Sequence, residues 1–76
     1  MDQNGTLEGL QEYSIHGGRW FRAFFTLEGD SETILQAQLP EDAFDSTLMP
    51  GDPILVTMLL RTVMQIKRRA PEPDRR

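Results

Sequence analysis

The sequence predicts an all-β domain: a small five-stranded barrel with one short helical turn near residues 40–48. Three observations predict it. Turn signals at "HGG" (16–18), "EGDS" (28–31) and "MPGDP" (49–53) separate apolar runs of strand length. Those runs are rich in β-branched and aromatic residues and alternate with a period of two. With 76 residues, the chain has room for one compact core and no second domain.

Taken in order, residues 1–4 read as an N-terminal arm and residues 5–68 as the barrel. The first strand, residues 5–15, carries Leu7, Leu10, Tyr13 and Ile15. Leu7 and Leu10 are out of strand phase, which predicts a bulge near Gly9. In "RWFRAFFTLE", Phe21, Ala23, Phe25 and Leu27 fall on one face, and Trp20, Arg22, Phe24 and Thr26 on the other. "EGDS" supplies a hairpin turn with Gly29. The third strand, residues 33–39, sets Leu35, Ala37 and Leu39 against Ile34, Gln36 and Gln38.

After Leu39 the alternation stops. Pro40 followed by Glu41 and Asp42 suits one helical turn, and Phe44 and Leu48, four apart, are placed to tuck under the sheet. Residues 54–69 admit two readings. Asp52-Pro53 is a good helix start, and Leu55, Met58, Leu59, Thr62, Val63 and Ile66 form a helical stripe. The β-branched Ile54, Val56, Thr57, Thr62, Val63 and Ile66 favour two strands instead. In that reading Ile54, Val56, Met58 and Leu60 alternate, followed by a last strand with Val63 opposite Met64 and Ile66.

Charge narrows the function classes. The net charge is −4, but residues 67–76 hold five basic and two acidic residues, a net of +3. Residues 1–66 therefore hold three basic and ten acidic residues, a net of −7. Such a body repels phosphate backbones, which makes nucleic acid an unfavoured partner. Residues 69–76 read as a disordered basic tail. With no cysteine, disulfides and thiolate metal sites are excluded, in keeping with a cytoplasmic setting. No secretory leader is read at the N-terminus, and no apolar run approaches the roughly 20 residues of a membrane span.

Nothing points to an enzyme. Ser14, Ser31 and Ser46 have no base beside them, and the single His16 sits in a glycine turn. The carboxylates Glu28, Asp30, Glu32, Glu41 and Asp42 fall in turns, where solubility and capping explain them. No metal or cofactor pattern is present. An oxyanion site is the sharper expectation. Gly17 and Gly18 allow close backbone approach, and Arg19 supplies charge.

"LPEDAFDSTLMPGDPILVTMLLRTVMQI" resembles the C-terminal transport-associated OB (TOBE) domain of ABC-importer ATPases, especially the sulfate/molybdate-type subunits. Leu39-Pro40, Phe44, Leu48, Pro50-Gly51-Asp52, Val56 and Val63 carry the likeness. "GTLEGL…GGRWFRAFFTLEGD" follows the same order more loosely, so about residues 5–68 are covered. The resemblance implies an OB-like barrel, a regulatory or ligand-binding role, an importer ATPase as partner, and a small oxyanion such as molybdate or sulfate. It departs where the family carries consecutive basic residues, since Met58, Leu59 and Leu60 stand there and only Arg61 is kept. No G-x-x-x-x-G-K-[ST] loop occurs, so the ATPase that normally precedes such a domain is not in this sequence, which reads either as an excised module or as a free-standing small protein. TOBE domains often pair. Trp20, Phe24, Met58 and Leu60 offer apolar surface for a homodimer. The runner-up is a free-standing OB or SH3-like module binding protein or single-stranded nucleic acid through Trp20, Arg22 and Phe24.

Overall fold

The computed structural model describes residues 1–69. Five strands form one antiparallel sheet: β1 (Asp2–Ile15), β2 (Gly18–Leu27), β3 (Asp30–Pro40), β4 (Pro53–Leu59) and β5 (Thr62–Arg68). Their order is β3-β2-β1-β4-β5, with one 3-10 turn at Glu41–Ala43. The domain is all-β, as its patterning predicts. Among the described residues no ladder joins β3 to β5, so the sheet is not closed. Nor is any helix among them long and apolar enough to cross a membrane.

β1 is the spine. It pairs with β2 from Gly5 to Ile15 and with β4 from Asp2 to Thr6. Residues 2–4 are thus strand, and the expected arm is corrected: Asp2, Gln3 and Asn4 face Thr57, Val56 and Leu55. Met1 joins them, since its amino group donates to the Met58 carbonyl at 2.7 Å and its carbonyl accepts from Met58 N at 2.8 Å. Where β1 crosses β2 near Gly5 the backbones run so close that a Cβ there would collide with the Thr26 carbonyl oxygen. Only glycine fits.

The expected bulge is present. Leu7 pairs with Phe25 and Gly9 with Phe24, which leaves Glu8 as the extra residue. That one insertion brings Leu7 and Leu10 to the same face despite their odd spacing. Glu8 reaches back, and its Oε2 accepts from the Thr26 hydroxyl at 2.9 Å. The core then follows the predicted rows. Phe21, Ala23 and Phe25 of β2 are buried, with Leu39 of β3 and Ile54 and Val56 of β4.

The 41–48 segment plugs this core. Phe44 and Leu48 are both buried, and the Phe44 ring stacks on Phe21 with centroids 4.8 Å apart. Phe44 forms a parallel bridge to Ile66, and Asp45 N donates to the Ile66 carbonyl at 3.1 Å. The Pro50-Gly51-Asp52 turn is then tied to β1. Gly51 N donates to the Leu7 carbonyl at 2.6 Å, and Leu7 N to the Asp52 carbonyl at 3.0 Å.

Residues 54–69 form two strands rather than one helix, in line with their β-branched composition. Two details differ from the simple alternation. Leu60 lies in the β4–β5 turn instead of continuing the buried row; it is 93% exposed with φ +58°. Met58 pairs with Val63 and Thr57 with Gln65, so Met64 is the extra residue of a second bulge. Val63 and Ile66 consequently both pack on the core, and Met64 is exposed. The basic-tail reading of residues 69–76 falls outside the described residues except at Arg69, whose Nη1 lies 2.7 Å from Glu28 Oε2.

Candidate functional site

The β1–β2 hairpin closes through His16 and Gly17, with φ of 50° and 81°. Two positive values in a two-residue loop are what a type I′ turn requires, which is why glycine follows here. No atom lies within 4 Å of a Cβ built on Gly17, so the tip is open. Gly18 begins β2.

Arg19 does not point out from this tip as a free cation. Its Nε donates to Glu12 Oε2 at 3.0 Å and its Nη2 to Oε1 at 3.2 Å, a bidentate pair. Its Nη1 lies 3.6 Å from Glu41 Oε2, and its guanidinium carbon sits 5.2 Å from the Phe21 ring centroid. The hydrogen bond from Arg19 holds Glu12 below the usual carboxylate value, with desolvation opposing it and the Arg19 charge adding a lesser pull in the same direction. Arg19 is raised in turn, first by the Glu12 hydrogen bond and then by its charge. The cluster is one cation between two carboxylates. An oxyanion entering here keeps the open backbone of Gly17 and Gly18, but must compete with Glu12 for the guanidinium.

The apolar candidates fall in two places. Trp20 and Phe24 lie half-buried on the outer face of β2, opposite the core row. Met58 is half-buried at the far end of β1, where its Sδ is 3.6 Å from Gln3 Nε2. Leu60 is beside it in the turn, with Met1 (87% exposed) and Leu59 (63%) adding apolar surface. The four residues form no single patch on one chain.

The outer face of β1–β3 is more coherent than the sequence suggested. Register places Tyr13 opposite Trp20, Gln11 opposite Arg22, and Gly9 opposite Phe24. On the other side Trp20 faces Pro40, Arg22 faces Gln38, and Phe24 faces Gln36. Arg22 Nη1 donates to Gln11 Oε1 at 3.2 Å, and its guanidinium carbon lies 5.6 Å from the Tyr13 ring centroid. The Tyr13 hydroxyl and Arg22 Nε are buried without a hydrogen-bond partner. These paired rows contain one charge, Arg22, and no Asp or Glu. Tyr13 and the three glutamines were not among the sequence candidates. The signal was present, because a bulge placed at Glu8 shifts Gln11 and Tyr13 to the side of Trp20 and Phe24.

Compared with known proteins, the chain matches no protein-family model, no curated protein and no solved structure.

Proposed function

We propose that the chain is a non-catalytic accessory module of the TOBE type, an OB-like barrel serving an ABC importer of a small anion or solute. One observation supports the reading: residues 39–56, which carry most of the residues of the resemblance, wrap from β3 across the core and back to β1. Leu39, Phe44, Leu48 and Val56 are buried together. Phe44 brings β5 round toward the end of β3, and Asp52 returns the chain to β1. A long first strand that bends at a bulge and serves both halves of the sheet is what OB-like closure needs. Function is then surface binding. The Gly17–Gly18 backbone with Arg19 would take molybdate or sulfate, and the Met58–Leu60 end would meet a second copy. The setting is cytoplasmic.

The test is an importer ATPase of the sulfate/molybdate class, deprived of its C-terminal domain and assayed with the added chain. The reading expects comigration of the two and a saturable change in ATP turnover. Neither effect at high micromolar chain would overturn it.

The second reading, an interaction module for protein or single-stranded nucleic acid, is favoured by the clustering of Trp20, Arg22 and Phe24 with Tyr13 on one face. Binding of single-stranded nucleic acid would weaken steeply with salt. A pocketed oxyanion would resist modest NaCl.

A further inference from the structure

We propose that the free edge of β3 docks an extended segment of a partner protein, a neutral β-branched strand ending in Lys or Arg that adds to the sheet antiparallel to β3. This goes beyond the importer reading and does not depend on it, since neither the Gly17–Arg19 tip nor the Met58–Leu60 end takes part.

The open sheet has two edges, and they differ. The β5 edge is occupied at its core end, where Phe44 forms a parallel bridge to Ile66 and Asp45 N donates to the Ile66 carbonyl at 3.1 Å. It also carries Lys67, a charge of the kind that keeps other strands from adding to an edge. The β3 edge has no such cover. Among the described residues, no hydrogen bond outside its ladder with β2 involves any residue from Asp30 to Pro40.

In an antiparallel ladder every second residue turns its N–H and C=O away from the neighbouring strand. β3 therefore presents a row of donors and acceptors outward. From Leu35 to Leu39 it pairs without a break with Phe21–Phe25 and holds no charge, proline or glycine. That stretch is a straight template with none of the usual guards. Leu35 and Ala37 pack on the core yet stay half-exposed, because no strand lies beyond them. The inward side chains of an added strand would extend the core over both.

Charge selects the occupant. At the start of β3, Asp30 and Glu32 are exposed and enter no ion pair among the described residues, while neighbouring Glu28 is held by Arg69. Past Glu32 the strand is neutral to its end. Antiparallel pairing is the more stable arrangement, so the incoming segment is neutral first and cationic at its C-terminal end, where it passes Glu32 and Asp30. Residues 70–76 of the same chain do not fit, since Pro71 and Pro73 have no N–H for a ladder and Glu72 and Asp74 add like charge. The β5 strand of a second copy has the right charges, but its edge is already bridged by Phe44. The segment is therefore assigned to another protein.

The experiment titrates the ¹⁵N-labelled chain with three capped octapeptides, TVTVTIKR, TVTVTIEE and TVTPTIKR. The expected result is saturable shifts at Leu35–Leu39 with TVTVTIKR, and slowed amide exchange at alternate residues of that stretch. TVTPTIKR, which lacks a ladder donor, and TVTVTIEE, which reverses the charge, should each bind at least about tenfold more weakly. Glu32→Lys in the chain, an exposed change that leaves the core untouched, should weaken TVTVTIKR several-fold and strengthen TVTVTIEE. No shift with TVTVTIKR up to about 1 mM, or shifts lying outside β3, would overturn the proposal. Equal binding of the basic-ended and acidic-ended peptides would overturn it as well, because charge is what selects the occupant. So would a two-chain sedimentation mass for the chain alone, with exchange at Leu35–Leu39 slowing as it is concentrated, which would give the edge to a second copy.

Discussion

Replacing Phe44 by Ala should remove much of the domain's stability. Phe44 is 5% exposed and stacks on Phe21 at 4.8 Å with an interplanar angle of 25°. Truncating a buried Phe to Ala costs about 3–5 kcal/mol, transfer and cavity together, with the ring pair accounting for about 0.5–1.5 kcal/mol of it. A chain of this length has a total stability of about 4–11 kcal/mol at roughly 0.05–0.15 kcal/mol per residue. The variant should therefore lose from about a quarter of its margin to all of it. Phe44 is also the residue bridged to Ile66, so its loss should loosen the β5 edge first. Urea unfolding followed in parallel by far-ultraviolet circular dichroism and Trp20 emission measures the change. The two probes should give one transition, shifted to lower urea with an unchanged slope. A loss under about 1 kcal/mol would refute the reasoning, because residues 41–48 would then be a surface loop rather than the plug that bends the sheet.

Three further outcomes are expected. Gly5→Ala should destabilise by at least about 1–3 kcal/mol, because its Cβ meets the Thr26 carbonyl and backbone cannot yield as a side chain can; a Tm unchanged within a degree would contradict the close β1–β2 approach. Leu60→Gly should stabilise by about 0.5–1 kcal/mol, a Tm rise of a few degrees, because Leu60 holds φ +58° with its side chain in solvent. Glu12 and Asp45 are both depressed in the folded chain, Glu12 by the Arg19 hydrogen bond and Asp45 by hydrogen bonds from the Thr47 hydroxyl and amide. Their stabilising contribution is complete above their ordinary values of 4.5 and 3.8 and is lost as pH falls through the lowered ones. Urea midpoints should therefore drop between pH 5 and pH 3, and the Glu12→Gln, Asp45→Asn double variant should show a shallower drop.

Much of the fold was legible because burial on one side of a strand leaves a period of two. Phe21, Ala23 and Phe25 announced the core row of β2, and the misphased Leu7 and Leu10 announced the bulge. The β-branched residues of 54–66 decided against a helix whose apolar stripe was equally good. What failed was local phase and partnership. Residues 2–4 are polar, and only the β4 edge makes them strand. The second bulge at Met64 has no glycine to mark it, and Met64 offers Ile66 an in-phase apolar neighbour that hides the odd spacing of Val63 and Ile66, so Val63 and Met64 exchanged faces. Leu60 continued an alternation into a turn that the sequence does not signal. At the candidate site the glycine turn was legible, but the neutralisation of Arg19 was not. Glu12 lies across a hairpin and Glu41 arrives from beyond β3, so their meeting depends on tertiary register. The outer face was half read: Trp20, Arg22 and Phe24 were visible as one row, and its acid-free neighbours became visible only once β1 and β3 were aligned beside it.

The most direct test of the account is a ¹⁵N-HSQC titration of the chain with molybdate and then sulfate. A TOBE-type ligand-binding module predicts dispersed peaks and saturable shifts at Gly17, Gly18 and Arg19, with the Arg19 Nε resonance moving as Glu12 is displaced. Dispersed peaks that stay fixed through both titrations would contradict the anion-binding claim and leave the chain an all-β module without that ligand.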